Sequence, residues 1–299
     1  MSLLVIITGP TAVGKTDLSI RLAERWHTGI ISSDSRQMYR EMKIGTAVPD
    51  PGQLAMVPHY FIGNLSIQDY YSVYRYEQEV IKLTDELFRE HSRVIMTGGS
   101  GLYMDAILNG IDDVPDPDPE IRHRLRDQLD HDGLGSLLEL LLSLDPEYYS
   151  RVDRNNPARI LRGLEVCLTT GRTFTSFRTR TAPVRNFKTI LIGLALPREE
   201  LYARIDARVD KMITGGLVDE ARALYRYRSL SALNTVGYRE LFRYFDGDTD
   251  LEEAIRLIKR NTRHYARRQI TWNNRYPEIR FFNPDDDKGI CDAVEQLPL

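Results

Sequence analysis

Two cysteines, Cys167 and Cys291, are too few for a disulfide framework or a four-ligand zinc site. No apolar stretch approaches the roughly 20 residues needed to cross a bilayer. The chain opens directly on a strand pattern rather than on a signal sequence. Internal repeats and low-complexity tracts are also missing. Charge bias is small, with 40 basic against 43 acidic residues and a formal net charge of −3. These absences predict a soluble cytoplasmic protein that needs no membrane. At 299 residues it can form one large or two modest domains, each with its own core.

What is present begins at residue 9. Gly9-Pro10-Thr11-Ala12-Val13-Gly14-Lys15-Thr16 is a full G-x-x-x-x-G-K-T phosphate-binding loop. It follows the apolar run Leu3–Thr8, which reads as a buried strand, and precedes a helical pattern from Asp17. The glycines let backbone N–H groups turn onto an anion, and the helix end adds its positive dipole. Lys15 supplies a point charge, and the Thr16 hydroxyl suits Mg²⁺. Such loops are usually nucleotide-binding, for ATP or GTP, and most are followed by a strand ending in a Mg²⁺-orienting Asp. Here the corresponding strand, Arg93–Thr97, runs into Gly98-Gly99-Ser100-Gly101 with no carboxylate. That absence argues against a motor-type ATPase and leaves room for a diphosphate without a base.

A second local absence lies near the C-terminus. Arg256, Lys259, Arg260, Arg263, Arg267, Arg268 and Arg275 have no acidic residue among them, and His264, Tyr265, Trp272, Asn273 and Asn274 are interleaved. The first five recur at three- and four-residue spacing, so a helix aligns them in one stripe. Guanidiniums with aromatic and amide neighbours suit looped or single-stranded RNA; a solvated helix face is the plainer alternative.

Strand patterns at Leu3–Thr8, Gly29–Ser33, Arg93–Thr97 and Thr189–Leu196 alternate with helical ones. This predicts an α/β fold, a P-loop NTPase-like parallel sheet flanked by helices. Between Asn109 and Pro183 the strand patterns stop. Proline-spaced residues at Val114–Pro119 lead into helices near Glu120–Asp130, Leu134–Leu144 and Pro157–Thr170. The reading is a discontinuous core, 1–110 and 184–299, carrying a helical insertion domain at 111–183.

Three further groups bear on chemistry. Asp34 follows a strand at the sheet's carboxyl edge, where ligands bind in open parallel sheets. It reads equally as a general base, a magnesium ligand or an N-cap. Ser100, in the Gly98–Gly101 turn, brings a hydroxyl to the same edge, although a helix start explains that turn nearly as well. Arg204, Arg208 and Lys211 share a helix face opposite Leu201, Ile205, Val209 and Met212. Two arginines at i, i+4 can clamp a phosphate, and a solvent-facing stripe is the default.

Together these segments resemble the tRNA dimethylallyltransferases, also called isopentenyl-tRNA transferases. The matching stretches are GPTAVGKT from Gly9, SSDSRQMYREMKIGTAVP from Ser32, GGSGLY from Gly98, LDPEYYSRVDRNNPARILRGLEVCLTTG from Leu144, RIDARVDKMITGGLVDE from Arg204, NTVGYREL from Asn234 and TRHYARRQITW from Thr262. They cover almost the whole chain in the family's order. Ser100 stands where Thr is common, and Asn156 where Asp is frequent. The likeness is to the compact bacterial type without the eukaryotic zinc finger.

The resemblance implies transfer of a dimethylallyl group from its diphosphate to N6 of the adenosine immediately 3′ of the anticodon. The tRNAs concerned read codons beginning with U. Residues 9–16 would hold the leaving diphosphate with Arg204 and Arg208, Thr11 would bond its oxygens, and Mg²⁺ would sit at Thr16. Asp34 would be the general base. Ser35, Arg36, Gln37 and Ser100 would read the adenine, which must be extruded from the loop. Arg159 and Arg162 in the insert, and Arg260, Arg263 and Arg267 in the basic helix, would bind the anticodon stem-loop. A monomer is expected. A nucleoside-monophosphate-type kinase and a nucleotide-gated RNA-binding module are the competing readings.

Overall fold

The computed structural model describes residues 2–179 and 183–296; residues 180–182 of the expected insertion lie outside that set. Strand β1 (Leu3–Thr8) leads through the phosphate loop into α1 (Lys15–Trp26), then β2 (Ile30–Ser32), α2 (Pro51–Met56) and β3 (His59–Tyr60). Helix α3 (Val73–Leu87), β4 (Arg93–Thr97) and α4 (Gly101–Asn109) follow. A helical stretch comprises α5 (Pro119–Leu144), α6 (Pro146–Arg151) and α7 (Pro157–Thr170). After it come β5 (Lys188–Leu194), α8 (Arg198–Thr214), α9 (Leu217–Leu224) and α10 (Tyr238–Phe245). The long α11 (Leu251–Asn273), β6 (Arg280–Phe282) and α12 (Asp287–Glu295) complete the chain.

All the strands run parallel in one sheet, ordered β3-β2-β4-β1-β5-β6. Every residue of β1 is buried, which is why it reads as an unbroken apolar run rather than an alternating one. Its side chains pack with Leu18 and Leu22 of α1, Ile192 of β5 and Leu201 and Ile205 of α8. The register pairs Ile7 with Thr97 and Ser32 with Thr97. The ends of β1, β2 and β4 are therefore level, and the loops leaving them emerge side by side.

The described residues form two compact units. One comprises 1–71, 79–108 and 184–299, and the other comprises 72–78 and 109–183. The sheet belongs wholly to the first. The second takes in the opening of α3, which the sequence reading gave to the core. Its own centre is built from Leu125, Leu137, Leu141, Tyr148, Val152, Ile160 and Leu164. Within it α5 breaks at Gly133, whose φ of 77° interrupts the helix. Arg122 grips the buried Glu165 carboxylate with two contacts, 2.6 and 3.0 Å.

Candidate active site

The site is assembled from loops at the level ends of β1, β4 and β2, walled by α8 and α11. In the phosphate loop the Lys15 ammonium donates to the carbonyls of Gly9 and Pro10, each at 2.9 Å. Burial, and after it the nearby Arg208 charge, lower the Lys15 pKa to about 7, against a smaller opposing pull from Asp34. Arg208 reaches over from α8 and donates to the Thr11 hydroxyl at 3.4 Å. Its own pKa is lowered by burial, with Asp34 and Asp17 pulling the other way. Two cations thus crowd a desolvated pocket that holds too little negative charge to satisfy them. Arg204 is ion-paired one turn back to Glu200, at 2.8 Å, and flanks the loop beside Gly14.

The Thr16 hydroxyl makes no hydrogen bond within the described residues. No group of three or more His, Cys, Asp or Glu among them is arranged to hold a metal ion. A single unbonded hydroxyl would suit a weakly held hard cation such as Mg²⁺, and the described residues do not form an all-protein cage.

Asp34 stands in the loop after β2. Its Oδ1 accepts from the Arg36 N–H at 2.9 Å, and its own N–H donates to Ser32 Oγ at 3.3 Å. This is an Asx-type turn. No helix starts here, since α2 begins only at Pro51, so Asp34 is not an N-cap. Its Oδ2 points at the glycine turn, 3.4 Å from where a Cβ on Gly99 would lie. The neighbouring Gly98 is obligatory, because a Cβ there would sit 2.4 Å from the Ser33 backbone. Ser100 closes this corner, donating to Ser35 Oγ at 2.9 Å and accepting the Ser35 N–H at 3.0 Å.

Gln37 spends its amide within the protein, and Arg36 one of its guanidinium nitrogens. Gln37 donates to the carbonyls of Thr46 and Ala47, at 3.2 and 3.0 Å, and Arg36 to that of Ser231 at 3.1 Å. Ser35 and Ser100 satisfy one another. The segment is thus a braced wall, in which Asp34 Oδ2 is an oxygen left without a hydrogen bond among the described residues.

Helix α11 divides in two. Near its start Arg256 pairs with Glu253, Lys259 with Asp210 at 2.6 Å and Arg263 with Asp206 at 2.5 Å. The acids missing from the stripe in sequence are supplied from α8 and from the preceding turn. Arg260 reaches Asn261 at 3.4 Å. Arg267 has no ion pair among the described residues. With His264, Arg268, Thr271, Trp272 and Arg275 it lines an open cleft of about 470 Å³. There Arg275 lies over the Trp272 ring, 4.5 Å from its centre.

In the insert, Arg159 is exposed at the start of α7. Arg162 instead donates to the carbonyls of Val114 and Pro115, at 3.2 and 2.8 Å, and braces its own unit.

The inner face of α11 carries Gln269, which the sequence reading passed over, and Tyr265 and Asn273, which it grouped with the basic stripe as contacts for RNA and which instead bond within the protein. Gln269 accepts from the Thr11 N–H at 2.8 Å and donates to the Gly99 carbonyl at 3.0 Å, which the Tyr265 hydroxyl also reaches at 3.1 Å. Asn273 accepts from the Thr8 hydroxyl at 2.9 Å. Glu220 of α9 takes the N–H groups of Lys43, Ile44 and Gly45 and the Tyr238 hydroxyl, all within 2.9 Å. The available signal was the placing of Tyr265, Gln269 and Asn273 four apart, polar groups on one stripe facing away from Arg267.

The family model for IPP transferase matches residues 37–276. A protein from Bacteroides fragilis named tRNA dimethylallyltransferase 1 is 53% identical over 292 residues, spanning 98% of this chain and 97% of its own. A Porphyromonas gingivalis protein, tRNA dimethylallyltransferase 2, is 54% identical over 286 residues, 96% and 95% of the two chains. The solved tRNA isopentenylpyrophosphate transferase of Bacillus halodurans superposes with a TM-score of 0.70 at 34% identity, covering 98% of this chain and 94% of that one. A eukaryotic dimethylallyltransferase, solved acting on tRNA, shares the fold with a TM-score of 0.81 at 24% identity, covering 100% and 81%.

Proposed function

Because the chain belongs to the IPP transferase family, we propose that it transfers a dimethylallyl group from dimethylallyl diphosphate to N6 of the adenosine at tRNA position 37, immediately 3′ of the anticodon, releasing diphosphate. The tRNAs served are those reading codons that begin with U. The observation that carries this reading is the adjacency of an under-neutralised cationic loop and a carboxylate, on the level ends of β1 and β2 with β4 between them.

The chemistry follows from the two halves. The C1–O bond of the diphosphate ester breaks while C1 bonds to N6, so negative charge builds on the departing oxygens. Lys15, Arg208 and the loop amides face that charge, and their attraction grows toward the transition state. The Thr11 hydroxyl accepts from Arg208 and so keeps its own proton to donate to the same oxygens. On the other side the N6 lone pair is delocalised into the ring, and bonding to carbon makes its proton acidic. Asp34 Oδ2 takes that proton. Thr16 would hold Mg²⁺, which when bound would add charge neutralisation at the leaving group.

The anticodon stem-loop is the part of tRNA that must dock, since the base has to leave its stack to enter the pocket. The cleft of Arg267, Arg268 and Arg275 supports backbone contacts of this kind. A kinase would have no use for that cleft, and the near-full-length relatives bear the transferase name. Unmodified tRNA incubated with labelled dimethylallyl diphosphate and Mg²⁺ tests the reading. Label is expected in the RNA at that adenosine. Phosphoryl transfer from ATP with no label in RNA would overturn it.

A further inference from the structure

We propose that Gln269 is a positioning residue that fixes the register between the diphosphate loop and the Asp34 corner, and so sets the distance between the two reacting centres. The proposal rests on the transferase reading and adds to it a side chain that touches neither substrate.

Gln269 is 7% exposed and lies on the inner stripe of α11. Its amide joins the Thr11 N–H to the Gly99 carbonyl. One partner is a donor and the other an acceptor, so only one orientation of the amide satisfies both. Ladder hydrogen bonds hold β1 to β4 as far as Ile7 and Thr97. Beyond that level no backbone hydrogen bond joins the loops 9–14 and 98–101 among the described residues. The Gln269 amide takes over where the ladder stops.

Its surroundings fix it in turn. A Cβ on Gly99 would lie 2.5 Å from Gln269 Nε2, so the second glycine of the turn is what admits the amide. Tyr265 donates to the same Gly99 carbonyl, and Asn273 anchors the next turn of the helix to Thr8. From Gly99 the chain passes to Ser100, which holds Ser35 beside Asp34. A continuous path of bonds therefore runs from Thr11 to the corner bearing the base. Thr11 spends its N–H on this path and offers its hydroxyl to the site. Register matters because a near-attack geometry places reacting atoms about 3–3.5 Å apart, and a displacement of about 1 Å can cost on the order of 10²-fold.

Two full-length variants test this with unmodified tRNA and dimethylallyl diphosphate. Gln269→Glu keeps the shape and the acceptor toward Thr11 but sets a carboxylate oxygen against the Gly99 carbonyl. Gln269→Met keeps the volume and makes neither bond. Single-turnover rates at saturating substrates are expected to fall about 10- to 100-fold in both. The tRNA dissociation constant should stay within about threefold of the starting protein, a split that general loss of structure would not give. Hydrogen exchange at the Thr11 amide should accelerate in Gln269→Met. Unchanged single-turnover rates in both variants would overturn the proposal, as would a loss confined to tRNA affinity. If the unaltered protein transfers nothing to tRNA, the functional reading fails instead. Thr11 exchange would still report whether Gln269 joins the loops, and unchanged exchange in Gln269→Met would overturn that as well.

Discussion

The guanidinium of Arg263 on α11 lies 2.5 Å from the carboxylate of Asp206 on α8. The pair is neutral as a unit and ties two helices that wall the site. Arg267, one turn further along α11, has no such partner among the described residues and lines the open cleft with Arg268 and Arg275.

The first prediction follows from that contrast. Arg267→Ala and Arg275→Ala should each weaken tRNA binding and reduce the slope of log affinity against log salt by roughly 0.7–1. Arg263→Ala should leave the slope within about 0.3 of its starting value. Filter binding of tRNA at several salt concentrations checks this. A slope change in Arg263→Ala alone would reverse the assignment.

Lys15 makes ligand binding depend on pH. In the free protein its pKa is lowered to about 7, so above that pH the amine is increasingly neutral. A bound diphosphate favours the charged form and raises the pKa again. Affinity is therefore full below about pH 7 and declines by up to about tenfold per pH unit above it, until the pKa of the complex is passed. Dimethylallyl diphosphate titrations from pH 6 to 9 should show this decline. Lys15→Ala should bind weakly with the lysine-dependent part of the pH profile gone.

Glu220 is expected to serve stability. It accepts three backbone N–H groups of the 43–45 segment together with the Tyr238 hydroxyl. Removing a carboxylate with several charge-assisted bonds costs about 2–4 kcal/mol. Urea unfolding of Glu220→Ala should show a loss of that size, with Glu220→Gln intermediate. A loss below about 0.5 kcal/mol would mean the segment holds itself.

Much of the fold was legible because its signals are local. The β1 and β4 boundaries follow from short apolar runs, and the phosphate loop is a contiguous motif between a strand and a helix. The edge strands β3 and β6 were missed: two or three residues each, with His59, Tyr60, Arg280 and Phe281 none of them buried, leave no period to read. The lack of acids in the basic stripe was a true observation about the chain and a poor guide to space. Asp206 and Asp210 come from α8, about fifty residues away. Gln37 looked available to a ligand because the loop carbonyls that occupy its amide cannot be seen in a sequence. Gln269 is the reverse case, an unremarkable glutamine whose role depends on two loops more than 160 residues distant.

Asp34 carries the central claim. A positioned carboxylate contributes about 10²–10⁴-fold to a step limited by loss of an amine proton. Asp34→Asn preserves the turn, because its amide oxygen can still accept the Arg36 N–H, but it cannot take the proton. The decisive measurement is the single-turnover rate of dimethylallyl transfer by Asp34→Asn at saturating substrates, beside its tRNA dissociation constant. A rate loss of about 10²–10⁴, or roughly 3–5 kcal/mol of barrier, with tRNA affinity unchanged is expected. An unchanged single-turnover rate with weakened tRNA binding would contradict it and make Asp34 a recognition residue.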